Sequence, residues 1–333
     1  MTTDTLLSVR DLKVHFPVGG GLFGTRQMVK AVDGVSFDVK RGSIFGIVGE
    51  SGSGKSTTAL AVMRLVKITA GTVRLGEAEI GHLKGEALRR ERRRFQMVFQ
   101  DPYASLNPRK RAGDAILDAL NLMDVGEPAS RPDRARELFL QTGLRPEQLQ
   151  LFPHQFSGGQ RQRIVLARAL AARPELVVCD EPVSALDVAI QAQMLNLMMR
   201  LQREFGLTYL FISHDLGVVR HLCGEVAVMY LGRIVEQAPR EALFERPLHP
   251  YTRALWSAAP SFDPDARSRK DRIRLQGDPP SPLKVPQGCR FAGRCPFAQD
   301  LCRTKEPALL EVAPGHQIAC HRVGDEGQVM YPN

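Results

Sequence analysis

Apolar positions along the chain fall into two recurring patterns. Ile44 to Val48, IFGIV, is short, wholly apolar and partly β-branched. Such a run predicts a strand buried on both faces of a parallel sheet. Leu176 to Cys179 in ELVVCDEP and Tyr209 to Ile212 in LTYLFISHD repeat it. Between them, GGQRQRIVLARALAARP and VAIQAQMLNLMMRLQREFG carry helical patterns. Buried strands alternating with helices predict an α/β fold, mainly parallel sheet with flanking helices. Residues 6–16, LLSVRDLKVHF, partly alternate apolar and polar, as an edge strand would. MVKAVDGVSFDVKRGSIFGIVG reads as strand, turn, strand, with turns at Asp33-Gly34 and Arg41-Gly42, which adds antiparallel strands near the N-terminus. Residues from about 102 to 165 hold no buried strand pattern and predict a helical subdomain. After 258 the composition shifts to proline and charge in APSFDPDARSRKDRIRLQGDPPSPLKVPQG. Two domains are therefore expected, 1–258 and a smaller extension over 259–333.

The 333 residues, 43% hydrophobic and 24% charged, fit roughly two globular domains. A net charge of +9 fits a surface that faces anions such as nucleotides, lipid headgroups or nucleic acid, or simply a basic soluble surface. The basic run LRRERRRF (Leu88 to Phe95) is read as a solvated helix face, with a nucleic-acid site as the alternative. No apolar run reaches the ~20 residues that span a bilayer. The start, MTTDTLLSVRDLKVHF, has acids and no apolar core of a signal peptide. The expected location is the cytoplasm, with any link to a membrane made through a partner. Six cysteines in a reducing compartment are not expected to form structural disulfides.

Gly49 to Ser56, GESGSGKS, matches G-x-x-x-x-G-K-[ST] between an apolar strand and a helix, the context that motif requires. Glycines let backbone N–H groups converge on phosphate oxygens, and the helix N-terminus adds partial positive charge. Gly49, Glu50, Ser51, Gly52, Ser53, Gly54, Lys55, Ser56 and Thr57 are the expected nucleotide-binding residues. Lys55 would reach the β- and γ-phosphates, and Ser56 would hold Mg²⁺. Asp180 and Glu181 end the apolar run of LVVCDEP. A carboxylate at 180 suits the Mg²⁺ shell, and one at 181 suits a base that orients or deprotonates the attacking water.

Further stretches carry a family resemblance. FSGGQRQR (Phe156 to Arg163) resembles the signature of ABC-type ATPases, with phenylalanine where leucine is usual. SALD, at Ser184, Ala185, Leu186 and Asp187, resembles their D-loop. SHD (Ser213 to Asp215) resembles their switch histidine, His214, and Gln100 in VFQDP their Q-loop glutamine. The motifs stand in the family's order over about residues 6–250. The resemblance implies a P-loop ABC ATPase binding ATP and Mg²⁺, with Mg²⁺ held through Ser56, Gln100 and Asp180. It implies catalysis by Glu181 and His214. It also implies that Ser157, Gly158, Gly159 and Gln160 close over nucleotide held by a second ATPase domain. Phe16 is the expected aromatic on adenine, or else a core or edge-strand phenylalanine.

RPLHPYTRALWSAAP (Arg246 to Pro260), QDPYASLNPR (Gln100 to Arg109) and GDPPSPLKVPQGCRFAGRCPFAQDLC resemble ATPases of oligopeptide/dipeptide importers. VHFPVGGGLFGTRQMVKAVDGVSF resembles the F-type sister of paired ATPases. The implied partners are a D-type sister ATPase, two transmembrane permease subunits and an extracytoplasmic solute-binding protein, at the cytoplasmic side of the inner membrane. No nucleic acid is expected. The same group carries glutathione, nickel and other small solutes, and a non-transport ABC ATPase is the more distant alternative. Cys289, Cys295, Cys302 and Cys320 offer four thiolates, enough for Zn²⁺ or an iron–sulfur cluster. Some members of the resembled group hold a [4Fe–4S] cluster there; Zn²⁺ and free thiols without metal stay open. His316 and His321 are nearby alternative ligands, with a surface histidine the expected reading for each, and Cys179 is expected to be a small core residue.

Overall fold

A computed structural model describes residues 4–19, 27–258, 273, 275–324 and 326–330. In chain order the elements are β1 (Thr5–Val18), β2 (Gln27–Lys40), β3 (Ile44–Val48), α1 (Lys55–Val62), β4 (Ala70–Leu75), β5 (Ala78–Glu79), α2 (Gly85–Glu91) and β6 (Phe95–Val98). There follow α3 (Ala112–Leu122), α4 (Arg131–Gln141), α5 (Gly158–Leu170), β7 (Leu176–Asp180), α6 (Val188–Phe205), β8 (Thr208–Ile212) and α7 (Leu216–Leu222). The last are β9 (Glu225–Tyr230), β10 (Arg233–Pro239), α8 (Arg240–Glu245), α9 (Pro250–Ala258), α10 (Asp300–Thr304), β11 (Leu310–Ala313) and β12 (His316–Ile318). The chain forms two compact units.

One unit holds the described residues up to Leu7, Asp38–Ile44 and Arg74–Ile212. Its sheet is parallel, with β7 between β6 and β8. Every residue of β7 and of β8 is buried, as two covered faces demand. From α3 to α5 the chain is helical. Ile116 and Leu120 of α3 and Leu138 and Phe139 of α4 are fully buried. Buried Arg131 closes the turn between these helices, bonding the Asn121 amide oxygen at 2.9 Å and Asp124 at 2.7 Å. The α6 helix buries the stripe Met194, Leu197, Met198 and Leu201, at helical spacing.

The other unit holds Ser8–Phe37, Phe45–Val73 and the described residues from Ser213 onward. Its strands run in the order β11-β12-β10-β9-β3. Only β3 and β9 pair in parallel; the remaining pairs are antiparallel. In the same unit β1 lies between β2 and β4. The edge strand expected over 6–16 is thus an interior strand. Its alternation marks one covered face, with Val9, Leu12 and Val14 fully buried.

Half of the expected linker over 259–288, residues 259–272 and 274, lies outside the described residues. Beyond it the chain returns to the sheet through β12, which pairs with β10 at Glu236↔Ile318 and Gln237↔Gln317. His316, expected at the surface, is instead buried. Its Nε2 lies 2.8 Å from the Glu236 carboxylate, which has no exposed surface and also accepts the N–H groups of Leu248 and His249. A buried carboxylate needs such partners, and one comes from this late strand. His321 is half-buried, with Nε2 2.9 Å from the Lys305 carbonyl.

Candidate nucleotide-binding site

The expected phosphate cradle begins where β3 ends. Gly49 has φ 151°, and a Cβ there would sit 2.2 Å from the Met229 carbonyl oxygen. Gly54 has φ 104°, and a Cβ there would sit 2.3 Å from the Ala31 carbonyl oxygen. Only glycine fits at either place. Gly54 caps α1 without a side chain, and the first turn of α1 holds no acid. The positive end of the helix therefore meets no carboxylate of its own first turn, which suits an anion. Lys55 is buried, its Nζ donating to the carbonyls of Gly49 and Glu50 at 2.9 Å each. The Ser53 hydroxyl is buried with no hydrogen-bond partner among the described residues. An orphaned hydroxyl inside a glycine cradle fits a phosphate oxygen as its partner. Ser51 and Gly52 are exposed, Ser56 is exposed at the start of α1, and Thr57 is half-buried.

His214 lies in this same unit, on the loop leaving β8. The loop is pinned on both sides of it. The Ser213 N–H donates to the Ile47 carbonyl, and the Asp215 N–H to the Ser213 hydroxyl at 2.9 Å. Asp215 then caps α7 by accepting the N–H groups of Gly217 and Val218. His214 is exposed between these anchors. Phe16 stands in β1 and is 38% exposed, outside the core.

The expected carboxylates belong to the other unit. Asp180 ends β7 and is buried. Glu181 follows with φ 48°, a left-handed backbone rare for a residue with a side chain. Its N–H donates to the Ile212 carbonyl at 2.9 Å. Gln100 Nε2 donates to Glu181 Oε2 at 3.1 Å, so these two expected site residues meet.

Ser157 caps α5 by accepting the Gln160 N–H, and the Gln160 side chain accepts the Ser157 N–H at 2.9 Å. Phe156 is buried at 3% exposure and seats this turn, so the apolar anchor survives the exchange of leucine for phenylalanine. Ser157 and Gly158 are exposed. Gly158 lies against Leu186, and a Cβ on Gly159 would meet Ile190 at 2.4 Å, so signature and D-loop adjoin. Ser184 bonds the Glu181 carbonyl at 3.1 Å, Ala185 is exposed, and Asp187 caps α6 through the Ile190 N–H.

Sequence reasoning missed two arginines that flank the late cysteines. Buried Arg290 bonds Asp33 Oδ2 at 2.6 Å and the Leu231 carbonyl at 2.6 Å. Burial would raise the Asp33 pKa, but bonds from Arg290 and His15 and the charges of Arg290 and Lys30 outweigh it and lower it to about 2. Arg294 bonds both oxygens of Glu50. The only clue in the sequence was the placing of each arginine beside a cysteine.

None of the four late cysteines is in a disulfide. The Cys289 N–H donates to the Cys302 carbonyl at 2.7 Å. Burial pushes the Cys289 thiol up to about 11 and Cys320 up to about 12, and it raises Cys295. The thiols also act on one another: each of these three feels Cys302, and Cys320 feels all of the others. Among the described residues, no group of three or more His, Cys, Asp or Glu is set to hold a single metal ion. Cys179 is a buried core thiol, as expected.

Comparison with known proteins places these features in a family. Residues 32–184 match the ABC transporter family model, and residues 235–302 match the oligopeptide/dipeptide transporter C-terminal region. The oligopeptide transport ATP-binding protein AppF of Bacillus subtilis is 50% identical over 96% of this chain and 97% of its own length. The di/tripeptide transport ATP-binding protein DppF of Pseudomonas aeruginosa is 48% identical over 96% of this chain and 98% of its own. A solved ATP-binding cassette, a dimer in a post-hydrolysis state with ADP and Pi, superposes with a TM-score of 0.63 at 27% identity, covering 71% of this chain and 99% of its own. The chain belongs to the ABC transporter family of ATPases and carries that family's oligopeptide/dipeptide transporter C-terminal region.

Proposed function

We propose that this chain is the ATP-hydrolysing subunit that powers import of di- and oligopeptides through a membrane permease, working at the cytoplasmic face of the membrane. The observation that carries the proposal is the union, in one chain, of the phosphate cradle with the peptide-transporter C-terminal region. The relatives named for oligopeptide and di/tripeptide transport match it over nearly their whole length.

In this reading the amides of Gly49 to Ser56 and the Lys55 ammonium hold the β- and γ-phosphates. Ser56, Gln100 and Asp180 are the residues that would hold Mg²⁺, which would supply positive charge to offset that on the transferred phosphoryl group. Glu181 orients the attacking water and takes its proton, while His214 braces the γ-phosphate. The signature turn Ser157 to Gln160 offers its exposed helix N-terminus to nucleotide bound by a partner ATPase. That partner is a D-type sister chain. ATP joins the two, hydrolysis parts them, and the motion drives two permease subunits fed by a solute-binding protein.

The four late cysteines are assigned to a [4Fe–4S] cluster rather than to Zn²⁺. The number and spacing of the cysteines support this reading: four thiolates are enough ligands for such a cluster, and the bond from the Cys289 N–H to the Cys302 carbonyl ties two of the four positions together. Bound, the cluster would supply folding energy to a segment with little core of its own. Protein purified without oxygen should carry iron and acid-labile sulfide. Zinc, or no metal, would contradict the assignment.

The transport reading is tested by purifying the chain from membranes under mild detergent. Permease subunits and a sister ATPase should accompany it. Nucleic acid in their place would contradict the proposal.

A further inference from the structure

Arg294 precedes Cys295 in the cysteine segment, yet its guanidinium reaches the phosphate cradle. Nη1 lies 2.7 Å from Glu50 Oε2, and Nη2 lies 3.2 Å from Oε1, a forked pair on one carboxylate. The Arg294 side chain is only 10% exposed. It lies over the Tyr230 ring, and Tyr230 packs edge-on against Tyr251 and Phe291. Tyr251 in turn accepts the Glu50 N–H at 2.8 Å. The Glu50 carbonyl accepts Lys55 Nζ at 2.9 Å and the Ser53 N–H at 3.2 Å. Every polar group of Glu50 is therefore held, and the carboxylate is held from the cysteine segment.

An unpaired carboxylate in a loop that binds a polyanion opposes its ligand. The fork from Arg294 removes that opposition and fixes the second residue of the loop. We propose that Arg294 is a positioning residue for nucleotide binding: it pairs the Glu50 carboxylate so that the cradle offers the phosphates donors alone. Through it the cysteine segment acts on the affinity of the ATPase for nucleotide. The inference rests on Gly49 to Ser56 being the phosphate site.

Equilibrium binding of a fluorescent ATP analogue with Mg²⁺ to the full chain tests this. Arg294→Gln should weaken binding about tenfold by exposing the carboxylate. Adding Glu50→Gln to that variant should recover most of the loss. Glu50→Gln alone should tighten binding, because Arg294 then adds an unopposed positive charge. Arg303→Gln, an exposed arginine on the same segment, should bind as wild type, since charge loss alone is not the cause. The unfolding midpoint without nucleotide separates affinity from stability. Wild-type affinity in Arg294→Gln, or a double variant as weak as the single one, overturns the proposal. Should Arg294→Gln fail to fold, Glu50→Gln decides alone, and weakened binding there overturns it. Lys55→Ala tests the premise separately: undiminished binding in that variant refutes the phosphate site itself.

Discussion

Glu181, the proposed base, stands on an unusual backbone. Its left-handed φ of 48° costs on the order of 1 kcal/mol and is sustained by the bond to Ile212. Such a cost is retained where it aims a side chain. Glu181→Gln should lower ATP turnover by roughly 10²- to 10⁴-fold, as loss of a general base does, while nucleotide binding persists. Asp33 makes a different demand. Its carboxyl titrates near 2 in the folded chain against 3.8 for the free group. The ion pair therefore adds stability that is fully present above pH ~4 and is lost as the pH falls toward ~2. Arg290→Gln, which removes the buried charged partner of Asp33 and leaves it His15 and Lys30, should destabilise the chain by roughly 1–3 kcal/mol, and denaturant unfolding at neutral pH measures it. If the midpoint fails to move, Arg290 is not a structural anchor.

At the scale of elements, the cradle works because β3 and α1 meet through glycines that have no substitute. Gly54→Ala should abolish nucleotide-dependent thermal stabilisation, because its methyl would collide with the Ala31 carbonyl. The β10–β12 pair matters for a reason the motifs do not announce. His316→Ala removes a partner of the fully buried Glu236 carboxylate and should cost about 1–3 kcal/mol of unfolding free energy. The strands β3, β7 and β8 were legible in the sequence because both faces of each are covered, and a short unbroken apolar run suits few settings besides that one. The loop between β3 and α1 was legible because its motif fixes residue type and spacing together, and the structure has no room for a side chain at Gly49 or Gly54. The placing of β1 between neighbours was not legible, since alternation reports a covered face and says nothing of what pairs at the edges. Nor were Arg290 and Arg294, whose partners lie 257 and 244 residues away and leave no local pattern.

For the whole molecule, the proposed ATP-driven dimer would cover the exposed Ser157 and Gly158 of the signature turn. Mixed with the proposed D-type sister ATPase, the Glu181→Gln variant should form a dimer with ATP and none with ADP, as light scattering would show. The central claim is that hydrolysis at this chain's site powers peptide uptake. The direct measurement is uptake of a labelled peptide into vesicles that hold the permease, this chain, the proposed sister ATPase and internal ATP, with the proposed solute-binding protein outside. With wild-type chain, uptake and phosphate release should rise together, and Glu181→Gln should abolish the uptake. Undiminished peptide uptake with Glu181→Gln would contradict the account.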